Sequence, residues 1–331
     1  MRIFSQATLT VLVALAAATL LGGCGGKEGS TTLLKVGHVL DAGHPVHKGM
    51  VRWAELVEKR SGGRLKIKIY SSGQLGQEKE LVEQLQMGTL DFSKVSSAVL
   101  ENFVPEMKVF GIPYLFRDND HKWRALRAPV GREILDACQD KSMVGVGYYA
   151  AGERSFYTVE QPIRTPADLK NLKIRVIKSP MAIELVKVLG ASPTPISWGE
   201  LYTSLQQGLV DGAENNPPSL ISAKHYEICK YYSLDQHTSP MDVVVAGKHV
   251  WNRLSAEDRQ LLLETFEESV EYQRELWAEE VADNFKTLKE AGVEIIEPDL
   301  APFRDAVQPM YDKYLRDEEL GQLIRDIQAV E

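Results

Sequence analysis

From residue 33 onward the chain alternates between two hydrophobic periods, and this alternation restricts its fold more than any other feature. Leu65–Tyr70 reads Leu-Lys-Ile-Lys-Ile-Tyr, the period of two that gives a strand one dry face. Residues 46–60 carry the helical period and are closed by Ser61-Gly62-Gly63. Residues 33–39 and 90–95 read as short strands, and Glu78–Met87 as a helix ended by Gly88. The order βαβαβ implies a parallel sheet with helices on its faces. A second unit of the same kind follows. Met143–Tyr149 and residues 174–176, 231–234, 243–246 and 293–296 read as strands. Residues 181–189 read as a helix, and Ser197 with Glu200 forms a capping box for the next one.

Two units of this kind predict two α/β lobes. From Ser255 to about residue 290 a helical pattern runs without Pro or Gly, with Leu262, Phe266, Val270 and Trp277 recurring on one stripe. A helix of that length exceeds either lobe, so it is expected to span both. Gly and Pro cluster near Gly152 and Pro240, the expected crossing points. The first lobe is then residues 33–152 with about 241–275, and the second 153–240 with about 276–331.

The N-terminus bears on the compartment. Met1-Arg2 precedes an apolar run over residues 7–21 that ends in Leu21-Gly22-Gly23-Cys24. The run is short and rich in Ala, which suits a cleaved leader over residues 1–23 better than a membrane span. The cysteine after small residues resembles the bacterial lipobox, which implies lipidation of Cys24 and a polar tether over 24–32. A net charge of −8 argues against nucleic acid as a partner. Cys138 and Cys229 show no metal-site spacing, and whether they pair is open.

Enzyme motifs are missing from the sequence. It holds no G-x-S-x-G, S-x-x-K, H-E-x-x-H, C-x-x-C or Walker A loop. Gly145, Gly147 and Gly152 are wrongly spaced for a dinucleotide fingerprint. His44 and His47 lie three apart but have no carboxylate or cysteine beside them, so contact with a ligand or ordinary surface suits them better than a metal. No cofactor is expected. The informative residue is Arg175, inside Leu172-Lys173-Ile174-Arg175-Val176. A guanidinium in an apolar strand is costly unless an anion pairs with it, whether a protein carboxylate or a ligand carboxylate. Its planar fork suits a carboxylate bidentately, as lysine cannot. Arg154 opens a neighbouring strand candidate.

Arg154, the segment from Thr165 to Val176, the stretch from Pro193-Thr194-Pro195 to Gln206, and Val210-Asp211-Gly212-Ala213-Glu214-Asn215 together resemble one family. Ser72-Gly73-Gln74-Leu75-Gly76 and Ile112-Pro113-Tyr114-Leu115-Phe116 fit it as well. It is the solute-binding proteins of tripartite ATP-independent periplasmic (TRAP) transporters, of the C4-dicarboxylate and sugar-acid type. The resemblance covers the whole chain after the leader. It implies a two-lobed, periplasmic-binding-protein-like α/β fold with hinge strands and a ligand cleft. It also implies an integral-membrane permease as partner.

Carried over by position, the resemblance gives Arg175 the grip on the ligand carboxylate and Arg154 a second contact, one residue displaced from some members. It gives Trp198 the apolar wall, Asn215 a hydrogen bond to ligand, and Glu78 contact with sugar hydroxyls. Ser96 and Val99 stand where sialic acid binders carry a glutamate and an arginine, which argues against sialic acid. Residues 213–216, including Asn216, together with residues 230–234 and His237, are similar to members that bind hexuronates. The ligand implied is therefore a sugar acid such as glucuronate or galacturonate, with a C4-dicarboxylate or another organic acid as the alternative. A secreted sugar-acid hydrolase or lyase, or a sensor component, is the reading from another class.

Overall fold

A computed structural model describes residues 31–331; the expectations for the leader and for lipidation of Cys24 lie outside the described residues. In chain order the strands are β1 (Thr32–Gly37), β2 (Leu65–Tyr70), β3 (Phe92–Ser96), β4 (Met143–Tyr149), β5 (Arg154–Thr158), β6 (Lys173–Val176), β7 (Ser192–Pro195), β8 (Gly212–Asn215), β9 (Tyr231–Thr238), β10 (Asp242–Gly247) and β11 (Glu294–Ile296). They build two sheets, ordered β2-β1-β3-β10-β4 and β11-β9-β5-β8-β6-β7. Thr32, read as tether, is already the first residue of β1.

Neither sheet is purely parallel, which corrects the sequence expectation. β1, β2 and β3 pair in parallel, but β10 runs antiparallel to both β3 and β4. In the second sheet β5 is antiparallel to β8 and β9. The cause lies in the connections. The chain passes from the first sheet to the second at residues 150–153 and returns at 239–241. Both passages are short and hold no helix, and without a helical crossover the strand that follows is not returned to a parallel position. β8 also lies between β5 and β6, so Arg154 and Arg175 are not on neighbouring strands.

The helix Pro45–Arg60 buries Val46, Met50, Trp53 and Val57, residues on one face at three- and four-residue steps. Trp53 packs edge-on against Phe92 of β3 and Phe266 of the long helix, and its indole N–H donates to the Leu262 carbonyl at 3.1 Å. Each fully buried side chain of this size contributes about 1.5–3 kcal/mol. The long helix, Ala256–Glu290, is N-capped by Ser255, whose side chain accepts from the Asp258 N–H. It packs against Pro45–Arg60 and β4 on the first-sheet side, and against Pro217–Ser222 and β11 on the second. At its middle, the buried Gln273 amide brackets one residue of the crossing segment, Ala150. Its Nε2 donates to the Ala150 carbonyl at 3.0 Å and its Oε1 accepts the Ala150 N–H at 2.9 Å. One turn on, Trp277 lies over Gly152, where φ is +63° and an added Cβ would sit 2.7 Å from the indole. That glycine is needed both for its left-handed backbone and for the room it leaves.

The C-terminal helix Glu318–Ala329 turns back to the first-sheet side, where the His121 ring meets the Ile327 carbonyl at 3.0 Å and Arg117 donates to the Gln328 carbonyl at 3.0 Å. Cys138 and Cys229 are free thiols in separate buried clusters, so no disulfide joins them.

Candidate ligand site

Between the two sheets lies a cavity that is partly open to solvent. Arg175, Arg154, Asn215, Asn216 and Trp198 line it from the second-sheet side, and Glu78, Ser96 and His44 from the first. The eight come from seven separate stretches of chain. His237, expected to contact ligand, is not among the lining residues; it stands behind Arg154.

Arg175 sits in the middle of β6 with 1% of its surface exposed. Its Nε and one Nη donate to a single acceptor, the Ile196 carbonyl, at 2.9 and 2.7 Å. Among the described residues no carboxylate pairs with it. Burial therefore lowers its pKa to about 10. The remaining N–H donors belong to a side chain that lines the cavity, and the Trp198 ring lies 5.9 Å from the guanidinium carbon. Trp198 opens the short turn Trp198–Glu200. Ser197 there makes no side-chain cap, so the expected capping box does not form.

Arg154 is arranged differently. It forms a two-pronged pair with Glu214, donates to the Glu214 carbonyl at 2.6 Å and to Asn215 Oδ1 at 2.9 Å. Desolvation would raise the Glu214 carboxyl, but Arg154 holds it at about 2. Burial would lower His237, but Asp235, 2.7 Å away, and Glu214 raise it to about 9. Arg154, Glu214, His237 and Asp235 thus form a buried, charge-balanced group. Arg154 reaches the cavity with its charge already matched, unlike Arg175.

The asparagines divide likewise. Asn215 uses its side-chain oxygen on Arg154 and on the Asn216 N–H at 2.9 Å, which leaves its amide NH2 as a donor. Asn216 accepts from the Ser219 N–H at 2.9 Å as the cap of Pro217–Ser222 and donates to the Ala151 carbonyl at 2.7 Å. Through these two bonds Asn216 fastens the crossing segment to the helix Pro217–Ser222, and one amide N–H remains beyond them.

On the first-sheet wall, Glu78 Oε1 accepts from Lys94 Nζ at 3.0 Å and from the Ser96 N–H at 3.1 Å. Lys94 also donates to Asp242 at 3.0 Å. Burial works against its charge, but Asp242 and Glu78 raise its pKa, and burial raises that of Asp242. Ser96 caps the short helix Ser97–Leu100. His44 caps Pro45–Arg60, its Nδ1 accepting the Val46 N–H at 3.2 Å. Burial lowers its pKa to about 3, so the ring is neutral and its proton is on Nε2, 3.4 Å from the Ser219 hydroxyl across the cavity. A second bridge joins Gln77 Oε1 to the Gly199 N–H at 3.2 Å.

Lys94 and Asp242 line the cavity and were not foreseen from the sequence. Lys94 lies in a strand whose five residues are all buried, but Phe92-Ser93-Lys94-Val95-Ser96 is too polar for the sequence to mark that burial. Among the described residues, no group of three or more His, Cys, Asp or Glu is placed to hold a metal ion.

A family model for bacterial extracellular solute-binding proteins, family 7, matches residues 36–317. A TRAP periplasmic solute-binding protein from Bradyrhizobium, solved in complex with D-galacturonate, superposes with a TM-score of 0.87 at 40% identity, covering 90% of this chain and 99% of that one. One from Anaerococcus prevotii with bound D-glucuronate gives 0.87 at 37%, covering 90% and 97%. The 2,3-diketo-L-gulonate-binding periplasmic protein of Escherichia coli is 32% identical, over 87% of this chain and 88% of its own.

Proposed function

Because the chain belongs to family 7 of the bacterial extracellular solute-binding proteins, of the TRAP type, we propose that it captures a hexuronate, D-galacturonate or D-glucuronate, in the cavity between its lobes. The observation that carries this is the unpaired Arg175. A buried guanidinium without a counter-anion costs folding free energy, and a ligand carboxylate docked bidentately on its free N–H groups supplies the missing charge. Trp198 offers its face to the C–H side of a sugar ring. The Asn215 amide NH2 and the Glu78 carboxylate offer one donor and one acceptor to ring oxygens and hydroxyls.

Capture would be followed by delivery to an integral-membrane permease, with the ligand chemically unchanged. The protein would act outside the cytoplasm, held to a membrane by a lipid on Cys24. In this reading the lobes are residues 33–152 with about 241–275, and 153–240 with about 276–315, the C-terminal helix returning to the first. Thermal-shift screening of the secreted chain against uronates, aldonates, dicarboxylates and oxo acids tests the ligand class, since a ligand of the native state raises the melting temperature. The largest shift is expected with a hexuronate, and nuclear magnetic resonance of the released ligand should show no conversion. A larger shift with succinate or malate would overturn the hexuronate reading. For the anchor, Cys24→Ser should abolish labelling by a radioactive fatty acid; retained labelling refutes it.

A further inference from the structure

We propose that the Glu78–Lys94–Asp242 cluster makes the site selective for acids with a single carboxylate, rejecting those that carry a second one at the opposite end. The inference rests on the hexuronate reading and deepens it. Arg175 projects from the second sheet; the cluster belongs to β3, the start of β10 and the helix Glu78–Met87, which form the facing wall of the same cavity. Lys94 is held at 3.0 Å by each of two carboxylates. Two acids around one base leave this wall one negative charge in excess when all three are ionised, and all three side chains are nine-tenths or more buried.

The other charges near the wall do not offset the excess. Arg154 is matched by Glu214, and His237 by Asp235. His44 and His38 are neutral, lowered to about 3 and about 2 by burial and then by Lys94. Lys79 and Lys178 lie exposed at the rim, where water screens them. The cavity is therefore polarised. One wall has a guanidinium lacking an anion. The other has carboxylate oxygens that accept hydrogen bonds from hydroxyls but repel a second carboxylate, without an ammonium free to receive it, since Lys94 is shared between two acids. A sugar acid docked by its carboxylate on Arg175 presents neutral hydroxyls to that wall. An aldaric acid of the same carbon skeleton presents an anion instead.

The experiment is isothermal titration calorimetry at pH 7.5 on the secreted chain with D-galacturonate, D-galactonate and galactarate. Galactonate and galactarate are both open chains with the same hydroxyls on their inner carbons, and differ in whether the far end is CH2OH or carboxylate. The expected result is galactarate weaker than galactonate by about a hundredfold or more, the scale of a like-charge juxtaposition in a buried site. Asp242→Asn and Glu78→Gln, each removing one negative charge with little change in shape, should each narrow that gap at least about tenfold by improving galactarate. Equal affinities for galactonate and galactarate in the wild type overturn the proposal and leave hexuronate binding standing. A gap that both variants leave intact overturns the assignment to this cluster. Failure of all three ligands to bind overturns the hexuronate reading, and this inference with it. Should one variant not fold, the wild-type ratio and the other variant still decide.

Discussion

Two arginines of one cavity differ in what surrounds them, and that difference sets what each substitution should do. Arg175 has a backbone carbonyl for company and, among the described residues, no carboxylate, so its charge is unmatched there. Arg175→Ala should weaken binding by about thirty- to several-thousand-fold, the range for truncating one partner of a buried charge pair, while the melting temperature holds or rises because an uncompensated buried charge is gone. Arg175→Lys should recover affinity only in part, since an ammonium lacks the fork. Calorimetric titration with D-galacturonate measures both, and wild-type affinity in a folded Arg175→Ala protein would refute the grip. Arg154 is the opposite case. Its removal leaves Glu214 buried against His237 alone, so Arg154→Ala should destabilise the fold by about 3–5 kcal/mol. Denaturant melts read that directly; a loss of ligand affinity with no loss of stability would make Arg154 a ligand contact instead.

At the scale of elements, the helix Pro180–Val188 of the second-sheet side is capped partly from the first. Its cap residue Ser179 donates to Glu101 Oε1 at 2.7 Å, and the Met181 N–H donates to the same oxygen at 3.0 Å. Glu101 follows the short helix Ser97–Leu100, and its other oxygen is buried with no partner among the described residues. Desolvation outweighs the two hydrogen bonds and the pull of Lys108, and raises the carboxyl from 4.5 to about 7. The folded chain thus holds a proton that the unfolded chain releases at lower pH. The stability this supplies is complete below about pH 4.5 and lost as pH rises through about 7. Relative to Glu101→Gln, the wild type should lose on the order of 3 kcal/mol between pH 5 and pH 8. Buried neutral histidines such as His44 and His225, both lowered to about 3, act in the opposite sense as pH falls below 6.5. They are common to both proteins, so the difference isolates Glu101. Parallel stability curves for the two proteins would mean that this carboxyl does not titrate in that window.

For the whole molecule, two sheets joined by short crossings at residues 150–153 and 239–241 make a hinge, and the long helix lies along it through Gln273 and Trp277. The two sides are bridged by His44 to Ser219, by Gln77 to Gly199 and by Glu101 to Ser179 and Met181. A ligand held by both walls favours the closed state by the difference in its affinity for the two states. Solution scattering should therefore show a smaller radius of gyration with saturating D-galacturonate than without. An unchanged radius at saturation would mean that closure does not accompany binding.

The sequence by itself determined the alternation of elements, the two units, the long helix and its Ser255 cap, because these follow from hydrophobic period and local capping, which neighbouring residues decide among themselves. It also marked Arg175, since a charge amid Ile174 and Val176 is anomalous wherever the strand lies. Tertiary structure alone decided strand direction and partner. β10 enters antiparallel because its chain arrives from the other sheet, and β8 separates β5 from β6, facts set by contacts remote in sequence. It decided too which arginine is matched, since Glu214 reaches Arg154 from sixty residues away and, among the described residues, no carboxylate reaches Arg175. His237, which pairs with Asp235 and faces Glu214, stands outside the cavity lining for the same reason. Lys94 and Asp242, 148 residues apart, share one buried wall only once the second crossing has brought β10 beside β3; a charge balance of that kind exists in space and has no counterpart in local pattern.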